Sequence, residues 1–224
     1  MLLLIADTSG KNGSVALARA AAPRDEVEVI ESETLAGGMF SAQLVPQIAA
    51  LLSKHSLNKH QIDAFIVVSG PGSFTGLRVG LAAIKALAEI LAKPIVPISL
   101  LEVVAIAANS KGKVLAALNA GRGEFYAGDY EISGNASQSV RESLLSRDEL
   151  LASATGSVVS TTDADLAGAA RVAGLSACLI ESITPAMVGR LGLRKIEDGA
   201  TVSSEQLEAN YGRRSDAEIF VKQS

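Results

Sequence analysis

The chain has no tryptophan, and its five phenylalanines and three tyrosines make up only 4% of the residues. Large aromatic side chains therefore cannot fill its core. Because 48% of the residues are nonetheless hydrophobic, the core must be built from aliphatic side chains and alanine. The 224 residues are enough for one large domain, or for two lobes of about 100 residues each.

Basic clusters are also missing. The sequence has 20 Lys and Arg against 24 Asp and Glu, which gives a net charge of −4, and it contains no Lys/Arg block. A protein that binds nucleic acid without a partner needs a positively charged surface. Strong, direct binding to nucleic acid is therefore disfavoured.

Cysteine and long apolar runs are scarce as well. Cys178 is the only cysteine and cannot form an internal disulfide, which favours a reducing compartment. No apolar run approaches the ~20 residues that cross a bilayer. The apolar stretch 2–5 has no positive region before it and is too short for a signal peptide. We expect a cytoplasmic protein that does not contact membranes.

Histidine is too rare to support most catalytic chemistry. His55 and His60 are five residues apart, and no carboxylate pattern makes them a metal site. Neither stands near a motif that would hold it beside a nucleophilic serine. The sequence therefore predicts no metal site and no catalytic residue.

The first half of the chain has a regular alternation of strand and helix patterns. These patterns predict strands at 2–6, 14–20, 26–34, 62–69 and 94–98, helices at 41–54 and 75–92, and an Asn-Gly hairpin turn at 11–13. Three antiparallel strands followed by helix, strand, helix and strand is the order of the ribonuclease-H-like lobe in actin and sugar kinases. This is an analogy of fold and not of function.

After a weak polar break at 105–110, the second half echoes this order in reduced form. It predicts strands at 113–119, 124–132, 157–161 and 178–181, a turn at 121–123, a short helix to 152 behind a capping box of Ser146 and Glu149, and a helix from Thr184-Pro185. We therefore predict an α/β, actin-like fold of two lobes. The first is residues 1–104, and the second is a smaller C-terminal lobe of residues 105–224.

The glycine-rich turn before the helix at 75–92 has two readings. Backbone N–H groups at a helix N-terminus can hold an anion, or Ser73 or Thr75 can cap the helix. The turn matches neither common nucleotide motif. Gly76-Leu77-Arg78 stands where a Walker loop needs Gly-Lys-Ser/Thr, and the last glycine comes one residue late for a Rossmann loop.

Asp7 stands where the actin-like fold has its first phosphate loop, but Ser9 occupies a glycine position of that loop. Capping of the first hairpin by Asp7 and Thr8 is the favoured alternative. No adenosine-binding glycine pair can be found in the second half. We expect no nucleotide cofactor, and the weak phosphate-loop candidates are Asp7, Thr8, Ser9, Gly70, Gly72 and Gly76.

The helix at 75–92 is apolar over more of its surface than one sheet can cover. Its polar residues Arg78, Lys85 and Glu89 fall in a stripe roughly 40° wide, whereas a helix on a sheet buries about a third of its circumference. The helix at 41–54 has a similarly wide apolar arc. Burial by the chain's own second half is one explanation. We predict instead a partner interface of two helices, formed by Phe40, Leu44, Ile48, Leu51, Leu77, Gly80, Leu81, Ala83, Ile84 and Leu87.

The glycine turn also resembles the signature of a known family. Ser69-Gly70-Pro71-Gly72-Ser73-Phe74-Thr75-Gly76-Leu77-Arg78-Val79-Gly80 is similar to the signature of the TsaB (YeaZ) family, subunits of the bacterial machinery that makes threonylcarbamoyladenosine in tRNA. The opening Leu4-Ile5-Ala6-Asp7-Thr8-Ser9, the central Glu124-Phe125-Tyr126 and the tail 211–218 with Tyr211 and Arg213 match as well. The resemblance therefore covers nearly the full length.

Three positions depart from the family pattern. Phe40 stands in place of a common histidine, the arginine of Asn119-Ala120-Gly121-Arg122-Gly123-Glu124 is displaced by one residue, and Ala209 replaces a proline. These departures put in doubt whatever the histidine and the arginine do in other family members.

The resemblance implies a function in the transfer of a threonylcarbamoyl group to adenosine 37 of tRNA. The chain would be a non-catalytic scaffold subunit whose N-terminal helices pair with the catalytic subunit TsaD, or with a second copy when TsaD is absent. TsaE would join the complex, ATP and metal would belong to the partner subunits, and tRNA would be contacted only indirectly. The alternative is a stand-alone ATP-dependent enzyme of the actin and sugar-kinase class.

Overall fold

The structure, a computed structural model, describes residues 1–20, 26–134 and 136–211. Its contacts divide the chain into two units. The first is Met1–Ser99 with Thr184–Asn210, and the second is Leu100–Ile183 with Tyr211–Ser224, of which only Tyr211 is described. The division differs from the predicted lobes of 1–104 and 105–224, because residues 184–210 return to the first unit.

Ten strands form two five-stranded sheets within the described residues. The first sheet contains β1 (Leu2–Asp7), β2 (Gly13–Ala20), β3 (Val27–Leu35), β4 (Ala64–Gly70) and β5 (Ile95–Ser99). The second contains β6 (Gly112–Gly121), β7 (Glu124–Ser133), β8 (Ala136–Ser146), β9 (Val158–Thr161) and β10 (Ala177–Leu179).

The helices are α1 (Phe40–Lys54), α2 (Phe74–Leu91), α3 (Leu100–Ala107), α4 (Arg147–Ser153), α5 (Ala164–Val172) and α6 (Pro185–Glu197), with a 3-10 turn at Lys59–Gln61. No helix among the described residues has both the length and the apolar character that a membrane span requires.

The two sheets have the same topology. Their strand orders are β3-β2-β1-β4-β5 and β8-β7-β6-β9-β10. In each sheet the first three strands pair antiparallel and the last two continue in parallel from the central strand. This arrangement confirms the predicted actin-like, ribonuclease-H-like α/β fold. The second sheet is reduced in length, since β9 and β10 have four and three residues, but it lacks no strand.

In the first sheet β4 lies between β1 and β5, and all seven of its residues are buried. Because neighbouring strand residues point to opposite faces, both faces of this sheet are covered. α6 packs against the sheet through two glycines. A Cβ atom at Gly189 would lie 2.8 Å from Cδ1 of Ile5, and one at Gly192 would lie 2.5 Å from Cδ1 of Ile66. This close approach explains why residues 184–210 belong to the first unit.

Three elements have no counterpart among the sequence predictions: α3, β8 and α5. α3 follows β5 directly and is almost wholly apolar, so its sequence lacks the alternation of apolar and polar residues that marks a half-exposed helix. Of the polar break predicted at 105–110, only the residues after Ala107 lie outside this helix. Its residues Leu101 and Val104 belong to a core cluster with Tyr130 and Ile132. β8 is a polar edge strand and α5 is rich in alanine, so pairing and packing, rather than a local pattern, determine their structure.

A matched pair of glycine substitutions tests the packing of α6. Gly192→Ala should lower the free energy of unfolding by about 1–3 kcal/mol, because the added methyl group would overlap Ile66 in a filled core. Gly168→Ala in α5 is the control. Nothing lies within 4 Å of its Cβ position, so the higher helix propensity of alanine should raise stability by about 0.5–1 kcal/mol. Urea unfolding measures both, and equal effects would contradict the close contact.

Candidate functional site

The glycine-rich turn between β4 and α2 lies against the chain itself. A Cβ atom at Gly72 would overlap the carbonyl oxygen of Ser9, and the Ser73 N–H donates a hydrogen bond to that same oxygen at 2.7 Å. A Cβ at Gly70 would overlap the carbonyl oxygen of Asn210, whose N–H donates to a carbonyl of β4 at 2.7 Å. Glycine is required here because two other segments of the first unit touch the turn.

The start of α2 packs in the same way on Thr8. A Cβ at Gly76 would overlap the carbonyl oxygen of Thr8, and one at Gly80 would overlap its hydroxyl. Thr8 is fully buried as a result. Ser73 caps the helix, and its hydroxyl accepts a hydrogen bond from the Gly76 N–H at 3.3 Å. Of the two interpretations of the turn, an anion site or a helix cap, the structure favours the helix cap.

Asp7, at the end of β1, holds the loop that α2 packs against. One carboxylate oxygen accepts hydrogen bonds from the Ser9 N–H at 2.9 Å and from the Ser9 hydroxyl at 2.5 Å. Burial raises the pKa of the Asp7 carboxyl, and the two hydrogen bonds oppose that rise without cancelling it. The structure thus brings the two loops that carry the phosphate-loop candidates into contact, with Ser9 against Gly72 and Thr8 against Gly76.

The residues predicted to meet a partner mostly face the core of the first unit. Ala83 and Leu87 are half-buried. The other eight are buried: Phe40, Leu44, Ile48, Leu51, Leu77, Gly80, Leu81 and Ile84. They form the stripe, three or four residues apart, with which each helix packs on its own sheet. These eight side chains are not available to a partner, which corrects the predicted surface.

The opposite sides of α1 and α2 are apolar too, and they are exposed. Val45 and Phe74 are each 47% exposed, Met39 is 50% exposed and Ile90 is 73% exposed. We call this surface the α1–α2 outer face; it comprises Met39, Ala42, Val45, Ala49, Phe74, Ala82, Ala86 and Ile90. In the sequence, this face was indicated by the wide apolar arc of each helix, because the arc extends over both the side that meets the sheet and the side that meets solvent.

The polar residues of α2 border this face. The Arg78 guanidinium lies over the Phe74 ring, with its carbon 3.7 Å from the ring centroid. Such stacking orients the positive charge while one side of the ring stays covered. Glu89 is exposed in the last turn of α2.

Phe40, which stands in place of the family's histidine, acts as a spacer. Its ring carbon Cε1 is 2.9 Å from the Cβ position of Gly13, and Cε2 is 3.1 Å from that of Gly76. The ring therefore fills the space between β2, α1 and the start of α2. A side chain at Gly13 or Gly76 would crowd this ring.

The segment from Asn119 to Glu124, in which the family's arginine is displaced by one residue, lies at the turn between β6 and β7 of the second unit. Asn119 donates from Nδ2 to Asp163 at 2.8 Å and accepts from the Gly121 N–H at 2.8 Å. Asp163 caps α5 by accepting from the Leu166 N–H at 2.8 Å. Arg122 is exposed in the turn between β6 and β7. The tail residues 212–218, with Arg213, lie outside the described residues.

The two histidines have separate environments. His55 Nε2 lies 2.6 Å from Glu31 Oε2, and Lys54 pairs with the other oxygen of Glu31. Lys54 and then His55 lower the pKa of the Glu31 carboxyl. His60 is exposed on the 3-10 turn. Over residues 1–20, 26–134 and 136–211, no three His, Cys, Asp or Glu side chains come together as a metal site requires.

The raised pKa of Asp7 makes a prediction about stability. A carboxyl whose pKa is higher in the folded protein stabilises the fold fully below its unfolded pKa, and this contribution is lost as the pH rises through the folded pKa. At pH 7.5 the charged form is therefore a net cost. Asp7→Asn keeps an oxygen acceptor for Ser9 and should raise the melting temperature by a few degrees at pH 7.5. The gain should shrink towards pH 4; a lower melting temperature at every pH would contradict it.

Comparison with known proteins gives the family. A model of the family described as TsaD, tRNA N6-adenosine threonylcarbamoyltransferase, matches residues 31–170, which is more than half of the chain. The tRNA threonylcarbamoyladenosine biosynthesis protein TsaB of Bacillus subtilis is 31% identical over 134 residues, which cover 58% of this chain and 56% of that protein. The TsaB protein of Haemophilus influenzae is 36% identical over 129 residues, covering 56% and 52%. The chain spans about half the length of the curated relatives it matches.

A solved structure covers more of the chain. A Pseudomonas aeruginosa protein described as having similarity to peptidase YeaZ superposes with a TM-score of 0.72 at 24% identity, over 95% of this chain and 99% of that one. This likeness shows a shared fold. The family match and the two curated relatives confirm the resemblance of the glycine turn to TsaB (YeaZ) proteins, and the chain belongs to the family described as TsaD, tRNA N6-adenosine threonylcarbamoyltransferase.

Proposed function

We propose that this chain is a non-catalytic subunit of the complex that adds a threonylcarbamoyl group to a tRNA adenosine. It pairs with the catalytic subunit TsaD through the α1–α2 outer face, and with a second copy of itself when TsaD is absent. TsaE joins the complex in the cytoplasm. ATP and metal bind to the partner subunits, and tRNA is reached only through them.

The observation that carries this proposal is the exposure of the α1–α2 outer face. Two neighbouring helices present Val45, Phe74 and Ile90 to solvent, together with exposed alanines on both helices. Soluble monomers rarely leave a continuous apolar patch of more than a few hundred Å² uncovered. A pair of helices from a partner would bury this patch, and the alanines would let the helix backbones approach closely.

The packing of the glycine turn supports a non-catalytic role. Ser9 and Gly72 are in contact, and the Asp7 carboxyl is already engaged by Ser9. The two loops that would hold phosphate in an active actin-like enzyme therefore stabilise the start of α2 instead.

Substitution of the outer face tests the pairing. Ile90→Glu and Val45→Glu should weaken binding to TsaD by about 2 kcal/mol or more, because each places a charge in an apolar contact. Threonylcarbamoyladenosine should fall in cells that carry only these variants. Ile84→Glu is unsuitable, since Ile84 is fully buried and its loss would test folding alone.

Val172→Glu is the matched control for these variants. Val172 is 91% exposed on α5 of the second unit, so the same change should leave binding and modification intact. Co-purification with TsaD and mass spectrometry of tRNA nucleosides measure the two outcomes. Full binding by a folded Ile90→Glu, Val45→Glu double variant would refute the proposed surface.

Titration with Mg-ATP separates this proposal from a stand-alone ATP-dependent enzyme. We expect calorimetry of the isolated protein to detect no micromolar binding, because the Ser9–Gly72 contact occupies the place of the phosphate. A micromolar dissociation constant would favour the enzyme alternative.

A further inference from the structure

The solvent-facing ridge of α2 has a symmetric charge pattern. The exposed residues Arg78, Ala82, Ala86 and Glu89 follow one another along the helix, and at about 100° per residue they fall within an arc of roughly 80°. We call these four residues the α2 ridge. A positive and a negative residue stand at its two ends, and alanine occupies both central positions.

We propose that two copies of this chain pair with their α2 ridges antiparallel, so that Arg78 of each copy lies opposite Glu89 of the other. This inference rests on the proposed function, because Ala82 and Ala86 of the ridge belong to the α1–α2 outer face and Arg78 and Glu89 border it. It goes further by giving the register of the self-pairing and the residues that determine it.

The register follows from the positions of the charges. A two-fold axis that passes between Ala83 and Ile84 brings position 78 of one copy level with position 89 of the other. It also brings position 82 of one copy close to position 86 of the other. A two-fold axis at this point therefore forms two Arg–Glu contacts, separated by roughly 16 Å along the helix. A parallel pairing in register would instead place Arg78 against Arg78 and Glu89 against Glu89.

The rest of the surface fits the same arrangement. Alanine at positions 82 and 86 allows the two helices to approach closely at the axis. The stacking of Arg78 on Phe74 holds the guanidinium at the edge of the ridge, so little side-chain freedom is lost when it meets a carboxylate. Apolar contact supplies the affinity, and the charges select the register.

Two single charge reversals and their mixture test the register. Arg78→Glu alone and Glu89→Arg alone each place like charges at both contacts, and each should self-associate about tenfold more weakly than the unaltered chain. When the two variants are mixed, every contact again joins opposite charges. Native mass spectrometry of the mixture should therefore show the heterodimer in excess of either homodimer, with self-association restored to near the original strength.

Lys59→Glu, an exposed change on the 3-10 turn, is the control for altered net charge and should have no effect. Should Arg78→Glu fail to fold because its stacking on Phe74 is lost, Glu89→Arg can be compared with Glu89→Gln; the first should weaken pairing about tenfold and the second much less. Equal self-association of all variants, a statistical mixture of dimers, or a monomer at tens of micromolar would overturn the inference. Binding to TsaD is measured separately, so this inference can fail while the proposed function stands.

Discussion

The contact between the glycine turn and the loop after β1 is the constraint on which the first unit depends. Gly72, Gly76 and Gly80 have no side chain because Thr8 and Ser9 occupy the space that a Cβ would need. A hydrogen bond from the Ser73 N–H to Ser9 then ties the two segments together. This packing determines where α2 begins and how closely it lies on the sheet, and through α2 it places the α1–α2 outer face.

The same contact joins the two loop positions that can surround a phosphate in an actin-like fold. In this fold, the ends of β1 and β4 are where backbone N–H groups can surround a phosphate. Here those ends bind each other, and the segment that ends at Asn210 closes the turn from the other side. The half-buried Asp7 carboxyl accepts both hydrogen bonds of Ser9, and its raised pKa makes the charged form a cost in stability.

The two sheets share one topology, but the first unit takes a helix that follows the second sheet in the sequence. α3 directly follows the last strand of the first sheet and packs in the second unit, whereas α6 follows the last strand of the second sheet and packs on the first. Gly189 and Gly192 give α6 its close fit. The first unit is therefore not a continuous stretch of sequence, although a break near residue 100 separates the two sheets.

The sequence by itself determined the order of strands and helices in the first unit, the capping residues of α4 and α6, and the surplus of apolar surface on α1 and α2. For the cap of α2 it left Ser73 and Thr75 as alternatives. These are local properties: they depend on the period of apolar residues and on turn chemistry within a few positions. The family signature was equally readable. The predicted strands and helices of the first unit agree with the structure to within two residues at nearly every end.

Only the tertiary structure decided which side of each helix is free. Leu77 and Ile84 had the same apolar character as Ile90, but the sheet covers the first two and leaves the third exposed. The partner of each glycine, the return of α6 and the pairing of the polar strand β8 were also decided at this level. The physical reason is that such contacts join residues far apart in sequence, and a local pattern records that a surface is apolar without recording what covers it.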